Sequence, residues 1–473
     1  MLGSMALGFD EPPTRTGLLA VVNRMTWGAT LEEVALCQAM GGTNYLEYHL
    51  DHTAIDDSAV NTMLTDPVYS LLYYSPDLLV GQSASNASNT VIRAMILRGI
   101  FSKRQLYERM VEFWNDHFNI WTFDNEPIGL LRVPDDRDVI RANALTNFGT
   151  ILRASAHSPA MLGYLNNDVN TSLAPNENYA RELMELHTLG VDGGYTQNDV
   201  INVAKCFTGW TYYSSTSGTD SYRFRFRSDR HAAGNKVVLG QNITGQTGAA
   251  GQQEGEQVLD ILINHPSTAQ FIAKKLLKRF WGYEPPQSHI NAVAAAYSSS
   301  GGDIKSMLRV VFGLVIAKAP PLKLKRPLHL LISAVRAAQA TVTSHTNFPA
   351  SVQTPLVQAG HLPFNWQSPD GYPDSVDYWV GGQLPRWNVG ATLMNGSSGS
   401  GYSGLSINHV PLINGATTPA AIAEQISRSM FNGTMSAADK AAVAGYMGPT
   451  NPNATKTREG IGLALASPSF QWY

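Results

Sequence analysis

The residues best suited to chemistry in this sequence are concentrated in one stretch, residues 175–194, which reads PNENYARELMELHTLGVDGG. Charged residues make up only 15% of the chain, so a dense group of ionisable side chains stands out here. The ionisable residues of the stretch are Glu177, Arg181, Glu182, Glu185, His187 and Asp192. A folded protein can bury such groups only when they pair with one another or bind a ligand. The stretch therefore indicates a site.

An α-helix from Asn178 to Leu189 would place several of these polar side chains on one face. At about 100° per residue, Asn178, Glu182 and Glu185 fall within about 60° of one another. His187 falls about 140° away from Glu182, so these two side chains are not expected to share a metal ion without ligands from elsewhere. A metal site would instead use the Asn178/Glu182/Glu185 face and histidines from other helices.

Arg181 lies four residues from Glu177 and four from Glu185, the spacing at which helical side chains can pair. Two carboxylates held near one cation can split their pKa values and divide acid and base roles, or can bind a divalent metal. The alternative is a Glu-Arg-Glu ladder on a half-exposed helix, which is common and contributes little to stability.

Further candidates lie on other predicted elements. His117 belongs to an apolar helical stripe in residues 107–118, so it should point inward, either as a core residue or as a ligand. His157 ends a helix, where the dipole favours a charged imidazole and where capping is the alternative role. His231 follows an arginine-rich strand that would either bind an anion or face solvent. Trp210 would either stack on a sugar or pack in the core.

The composition excludes several classes of protein. The chain has 473 residues, 44% of them hydrophobic, and its net charge of −3 gives no electrostatic argument for nucleic acid or an anionic membrane. No apolar run reaches the roughly 20 residues of a membrane span. Residues 1–13 lack the basic and long apolar regions of a secretory signal. For Cys37 and Cys206, two buried reduced thiols are favoured over one long-range disulfide. The sequence also lacks a GxSxG elbow, an HExxH pair and a phosphate loop.

Apolar periodicity predicts a mainly α protein. Thr30 and Glu33 fit the start of a helix that should stop at Gly41. The other predicted helices cover residues 107–118, 136–153, 178–189, 198–207, 266–281 and 328–340. We expect one large helical domain over residues 1–473. A C-terminal subdomain from about residue 345 is the alternative.

One segment is predicted to be β. In residues 221–227, Tyr222, Phe224 and Phe226 alternate with arginines, as in a strand with one apolar and one polar face. Residues 236–239 are its predicted partner, joined through a turn at Gly234. This hairpin and its Gly-, Ser- and Thr-rich loops form an insertion at about 211–256, and a further polar loop is predicted at 395–404.

Several long motifs resemble one bacterial family, known as domain of unknown function 1800. They are NRMTWGAT (23–30), FWNDHF (113–118), HSPAML (157–162), NENYARELMELHTLGVDGGYTQNDV (176–200), FTGW (207–210), HPSTAQFIAKKL (265–276) and ASPSFQ (466–471). The resemblance covers nearly the whole chain in order, and it implies a largely helical fold. Family members often carry export signals and are encoded beside a protein similar to alkaline phosphatases and sulfatases. This implies the periplasm or the cell exterior, and a phosphatase- or sulfatase-like partner.

No catalytic residues are agreed for this family, but its motifs contain the candidate residues found above. They are His117, His157, Asn176, Glu177, Asn178, Arg181, Glu182, Glu185, His187, Trp210 and His231. One departure is visible, since family members often have His-Asp where this chain has His231 and Ala232. A role for a carboxylate at that point is therefore in doubt.

We carry two hypotheses forward. In the first, an envelope or secreted hydrolase uses Glu182, Glu185 and His117 in catalysis. Asn178, Arg181 and Trp210 bind the substrate, and a divalent metal takes part if the carboxylates act as its ligands. In the second, the chain is a non-catalytic structural or assembly protein of the cell surface that packs against its own copies. The Glu-Arg-Glu cluster is then a buried structural network.

Overall fold

The computed structural model describes residues 17–396 and 400–473. The segment examined above for a secretory signal, and residues 397–399 of the predicted polar loop, lie outside the described residues.

The described chain is mainly helical, as predicted. The helices of its first half are α1 (Leu18–Met25), α2 (Leu31–Met40), α3 (Gly42–Leu50), α4 (Ser58–Met63), α5 (Pro76–Leu79), α6 (Ala84–Phe101), α7 (Gln105–His117), α8 (Glu126–Pro134), α9 (Phe148–Ala156), α10 (Pro159–Tyr164), α11 (Asn178–Glu182) and α12 (Gln197–Cys206). Two π-helical segments, π1 (Asp135–Arg141) and π2 (Leu183–Thr188), directly follow α8 and α11.

The second half continues in the same way. Its helices are α13 (Gln252–Ile263), α14 (Pro266–Phe280), α15 (Gln287–Ser300), α16 (Ile304–Ala317), α17 (Pro327–Ala337), α18 (Asn347–Ser351), α19 (Gln353–Gln358), α20 (Val376–Val380), α21 (Gln383–Met394), α22 (Val410–Ile413), α23 (Pro419–Phe431), α24 (Ala437–Met447), α25 (Ala454–Ala466) and α26 (Pro468–Gln471). In the part of the chain that the structure describes, no helix is both long enough and apolar enough to cross a membrane.

Local signals explain where several helices begin. The side chain of Thr30 accepts a hydrogen bond from the backbone N–H of Glu33, and α2 ends before Gly41, as the sequence predicts. Thr196 and Asp199 form a full capping box that begins α12. Pro266 occupies the first turn of α14, where its missing N–H costs nothing.

Helix α7 lies in the middle of the hydrophobic core, and its apolar stripe is the predicted one. Met110, Phe113, Trp114 and His117 are all buried. The indole Nε1 of Trp114 donates to the backbone oxygen of Ala144 at 3.0 Å, which satisfies its buried polar group. A single cluster of contacting buried side chains extends along the chain from Val21 to Phe470.

The strands form three two-stranded antiparallel sheets, and their pairing corrects one prediction. Strand β2 (Phe224–Phe226) pairs with β1 (Trp210–Tyr212), whereas β3 (Lys236–Val238) pairs with β4 (Gln241–Ile243). The predicted hairpin between residues 221–227 and 236–239 is therefore wrong. The alternation correctly indicated that β2 is a strand. However, β2 and β3 each pair with another strand and not with one another. A third sheet joins β5 (Thr341–Val342) to β6 (Leu405–Ser406).

Cys37 and Cys206 are free and buried, which is the alternative that the sequence favours. Burial raises the pKa of the Cys37 thiol to about 11. It raises the pKa of the Cys206 thiol to about 12, so both remain protonated and unreactive near neutral pH.

Candidate functional site

The segment singled out by the sequence is not one regular helix. α11 ends at Glu182, and π2 continues from Leu183 to Thr188. In a π-helix the backbone hydrogen bonds join residues five apart, so Glu182 and His187 are separated by less rotation than an α-helix would give. The expected separation of about 140° rested on α-helical geometry throughout, and that premise is wrong. Local π-helical turns are frequent at functional sites.

Arg181 makes only part of the predicted ladder. Its Nη2 lies 3.0 Å from Glu177 Oε2 and donates to Gln197 Oε1 at 3.0 Å. Glu185 instead accepts a hydrogen bond from the hydroxyl of Tyr195 at 3.4 Å. The side chains of Arg181 and Glu177 are 40% and 36% exposed, so this pair is not a buried network. An exposed ion pair of this kind contributes little to stability.

Glu182 is half-buried beside the other predicted carboxylate. Burial, followed by the negative charge of Glu185, raises the pKa of Glu182, and Asp370 adds to the shift. Asn178 is exposed, and its amide nitrogen lies 3.4 Å from Asn166 Oδ1. The predicted polar face therefore has its most perturbed member, Glu182, within electrostatic range of Asp370.

His117 is buried, as predicted, and it touches the same segment from α7. Its Nε2 lies 3.1 Å from the backbone oxygen of His187, so Nε2 must donate and Nδ1 is left as an acceptor. In the described chain this Nδ1 has no hydrogen-bond partner. Burial and the charge of Lys275 hold the pKa of His117 well below its usual range. The imidazole is therefore neutral near neutral pH.

The remaining predicted residues lie elsewhere. Trp210 is fully buried, with its ring 4.6 Å from the ring of His157 and 4.9 Å from that of Phe207. This packing favours the core alternative for Trp210. His157 places Nε2 at 3.0 Å from Glu256 Oε1, and His231 places Nε2 at 3.2 Å from Glu254 Oε1. Neither histidine lies opposite Glu182.

A cleft of about 750 Å³ opens where α7, the end of π2, α14 and residues 370–374 meet. Its ionisable lining residues are Asp116, His117, Asp192, Lys274, Lys275, Lys278, Arg279, Arg326, Asp370, Tyr372 and Asp374. The volume falls in the range of small-molecule sites. His117 therefore lines this cleft, and Asp370 links its edge electrostatically to Glu182.

The floor of the cleft is a buried ion network. Arg326 donates to Glu112, and its Nη1 lies 2.8 Å from Asp116 Oδ2, so one guanidinium spans two carboxylates of α7. Arg279 also pairs with Glu112. The Nη1 of Arg109 lies 3.9 Å from Glu112, so three guanidinium groups surround one carboxylate.

Two further groups at the floor show that its electrostatic field is positive. Although burial favours the neutral acid, the charges of Lys323, Arg326 and Arg279 lower the pKa of Asp374 to about 2. Lys323 Nζ lies 2.9 Å from Asp374 Oδ1. Burial opposes ionisation of Tyr473 as well, yet nearby cations, Arg109 foremost, lower the pKa of its phenol to about 8.

A second buried network lies beside the first and uses other residues of α7. Arg141 binds Glu108 with both terminal nitrogens, at 2.8 and 3.0 Å, and its Nε lies 3.0 Å from Asp136 Oδ2. Arg132 pairs with Asp135. Arg98 also lies within electrostatic range of Glu108 and Asp136, so in contrast to the floor of the cleft this network has equal numbers of guanidinium groups and carboxylates.

Sequence reasoning missed Glu112, Asp116 and the cations that bind them. One signal was present, because Glu108, Glu112 and Asp116 repeat every four residues and so form an acidic stripe within a buried helix. Arg326 gives no comparable local signal. Within the described residues, no group of three or more His, Cys, Asp or Glu side chains is placed to hold a metal ion.

The comparisons with known proteins agree with the motifs. No curated protein and no solved structure matches the chain. The family described as protein of unknown function, DUF1800, matches residues 20–472, which is nearly the whole length. Apart from Tyr473, the residues of the cleft and of both ion networks fall within that match, and the chain belongs to the DUF1800 family.

Proposed function

We propose that this protein is a hydrolase whose cleft binds the anionic part of its substrate. The observation that carries the proposal is the charge of the cleft. Lys274, Lys275 and Lys278 lie on one side of α14, and Arg279 and Arg326 lie at the floor. An anion that binds in such a site gives up its hydrating water and is attracted by several fixed cations.

The carboxylates of the cleft neutralise these cations only in part, since four aspartates line it together with five lysine and arginine side chains. Asp116 is already bound to Arg326, and Asp374 is already bound to Lys323. Arg109, behind the floor, retains Nε and Nη2 without hydrogen-bond partners in the described chain. A buried donor that has no acceptor costs free energy. A bound oxyanion would reduce the accumulated positive charge.

The proton chemistry in this proposal belongs to Glu182. A carboxyl group whose pKa is raised by burial and by a neighbouring carboxylate is suited to donate a proton to a leaving group. Glu185 is the neighbour that holds the proton there, and neutral His117 offers Nδ1 as an acceptor. Asn178 and Arg181, at the exposed end of the segment, orient the substrate. Trp210 supports the segment from the core.

The periplasmic or extracellular location implied by the family resemblance belongs to the same proposal. The proposal does not require a metal, because the cations of the cleft can stabilise a developing negative charge themselves.

The test compares phenyl phosphate and phenyl sulfate with the neutral phenyl acetate, because their phenolate leaving group, unlike an activated nitrophenolate, needs a proton to leave readily. We expect faster turnover of an anionic ester, and a loss of about 100-fold or more in Glu182→Gln, because glutamine cannot donate the proton. The fold should survive, since burial already favours the neutral form of Glu182. Glu32→Gln, at an exposed position of α2, is the matched control.

Unchanged turnover in Glu182→Gln would contradict the assignment of this carboxyl group. A preference for the acetate would contradict the anionic substrate.

The second candidate function is a cell-surface assembly protein. It is favoured by an apolar groove of about 660 Å³ between α21, α24 and α25. Leu384 and Trp387 are 65% and 47% exposed there, and exposed apolar patches of this kind often mark contacts between proteins. In this alternative Glu182 has no activity to support, so Glu182→Gln should leave the turnover of every ester unchanged, and its half-buried side chain makes a large loss of stability unexpected.

A further inference from the structure

Lys275 differs from the other cations of the cleft. Lys274 beside it is exposed, and Arg279, one turn further along, is bound to Glu112. Lys275 is partly buried, with its Nζ 5.5 Å from the centre of the Phe271 ring. Among the residues that the structure describes, no carboxylate lies within ion-pair distance of this amine. A partly buried lysine without such a partner is a candidate for chemistry.

The surroundings of Lys275 combine an apolar wall with groups that can carry protons. Asp116 from α7 and Asp370 from the cleft edge face it as negative charges, and Lys278 faces it as a positive one. His117 and His187 also lie within electrostatic range, and both are buried imidazoles. Lys275 therefore lines the cleft within electrostatic range of two neutral imidazole rings, two carboxylates and a second lysine.

We infer that Lys275 is the amine of a carbonyl-binding site, and that its Nζ forms an imine with an aldehyde or ketone whose anionic group is held by Lys274 and Lys278. This inference rests on the proposed function in one respect, because the same cations hold the anion. It adds a covalent contact between the chain and a carbonyl compound, which is a different class of ligand from an ester.

The step uses only the amine and the carbonyl compound. The lone pair of the unprotonated Nζ attacks the carbonyl carbon and forms a C–N bond, while the carbonyl oxygen gains a proton. The resulting carbinolamine loses its hydroxyl group as water, with both hydrogens of the amine ending on that water, and a C=N bond remains. Asp116 and Asp370 are the facing carboxylates that can pass these protons.

Protonation at neutral pH does not prevent this chemistry. Burial lowers the pKa of Lys275 to about 8, against a partial opposing effect of Asp116 and Asp370. About a tenth of the amine is then unprotonated at pH 7, compared with fewer than about one in a thousand molecules for an ordinary lysine. Exposed Lys103 is the internal reference, because it lies outside the cleft.

The experiment is reductive trapping of the wild-type chain at pH 7.5, read by peptide mass spectrometry. Succinic semialdehyde and butanal have the same chain length, but only the first carries a carboxylate. Cyanoborohydride reduces any imine to a stable amine. We expect Lys275 to be labelled at least about tenfold faster than Lys103, because its unprotonated fraction is over about a hundred times that of an ordinary lysine, while a less basic amine is a somewhat weaker nucleophile. We also expect succinic semialdehyde to label it several-fold faster than butanal, and inorganic phosphate to suppress that difference.

The outcomes separate this inference from the proposed function. Labelling of Lys275 no faster than Lys103 overturns the inference, whereas phosphate binding to the same protein, measured by calorimetry, would leave the proposed anion site intact. Fast labelling at equal rates by both aldehydes supports the reactive amine and contradicts the anion pocket. In Lys274→Gln, the advantage of succinic semialdehyde should shrink while butanal labelling of Lys275 persists.

Discussion

Two buried ion networks share α7 and differ in charge balance. In the closed network, Arg141 lies between Glu108 and Asp136, and Arg132 is bound to Asp135. In the open network, which forms the cleft floor, the carboxylates are outnumbered by cations. The cations are Arg24, Arg109, Arg279, Lys323 and Arg326, and the carboxylates are Glu112, Asp116 and Asp374.

This difference indicates what each network does. Burying charge costs free energy, which neighbouring opposite charges offset only when nearly every group is paired. The closed network meets that condition within the chain and can serve the fold alone. The open network leaves a positive field that lowers the pKa of Tyr473 to about 8. A field of this kind serves a function when an anion enters the cleft.

The largest expected effect separates the two networks through matched arginine variants. Arg141→Met leaves Glu108 and Asp136 buried without their partner and should lower the free energy of unfolding by about 3–5 kcal/mol. Arg109→Met removes one of several cations around Glu112 and should cost less than about 1.5 kcal/mol, since its ion pair is long and other guanidinium groups remain. Urea denaturation of both variants measures the difference.

Equal losses of stability in these two variants would contradict the distinction between the closed and the open network. It would show that Arg109 is as necessary for folding as Arg141, and that the charges of the open network are balanced as completely as those of the closed network.

A second, pH-dependent effect concerns His187, which is buried beside His117. Burial, with a smaller contribution from the charge of Lys275, lowers the pKa of His187 to about 3. The unfolded chain, with an ordinary histidine pKa near 6.5, binds a proton before the folded chain does. The stabilisation is therefore present above about pH 6.5, and it is lost progressively as pH falls toward 3.

The measurement is the free energy of unfolding at several pH values between 4 and 6. In His187→Gln, the slope of the free energy of unfolding against pH should be smaller by about 1.4 kcal/mol per pH unit, the value for one proton. His157→Gln is the matched control, because His157 is 29% exposed and paired with Glu256. An unchanged slope in His187→Gln would show that burial of this imidazole does not keep it unprotonated in the folded chain.

The helices were largely predictable, because their signals are local. Thr30 and Pro266 mark helix starts by capping chemistry, and the spacing of Met110 and Trp114 marks the buried face of α7. The switch to π-helix after Glu182 was not predictable, since the segment has ordinary helix-forming residues and the extra backbone hydrogen-bond spacing is imposed by packing.

The cleft was only partly predictable, because its contacts join distant parts of the chain. His117 was found from its stripe, and the helix that carries the lysines of the cleft was predicted at residues 266–281. Arg326 and Asp374 carry no local pattern, since their partners lie far away in sequence, as with Arg326 and Asp116. Spacing therefore indicated charged residues on single helices but not which distant charges would meet them.

The smallest expected effect tests an exposed pair, Arg181 and Glu177, against the buried networks. Both side chains are more than a third exposed, so water screens them before and after folding. Arg181→Gln should change the free energy of unfolding by less than about 0.5 kcal/mol, and this small change should vanish in 1 M salt, where the screening length is about 3 Å. The cost of Arg141→Met should persist in the same salt, because buried pairs are screened much less.

A loss of several kcal/mol in Arg181→Gln would place the segment with the closed network and favour the structural alternative for this protein. A small loss together with reduced turnover of an anionic ester would instead assign Arg181 to the substrate, as proposed. The position of this residue makes the second result the expected one: its side chain is 40% exposed and it is next in sequence to Glu182, whose carboxyl group lies within electrostatic range of Asp370 in the lining of the cleft.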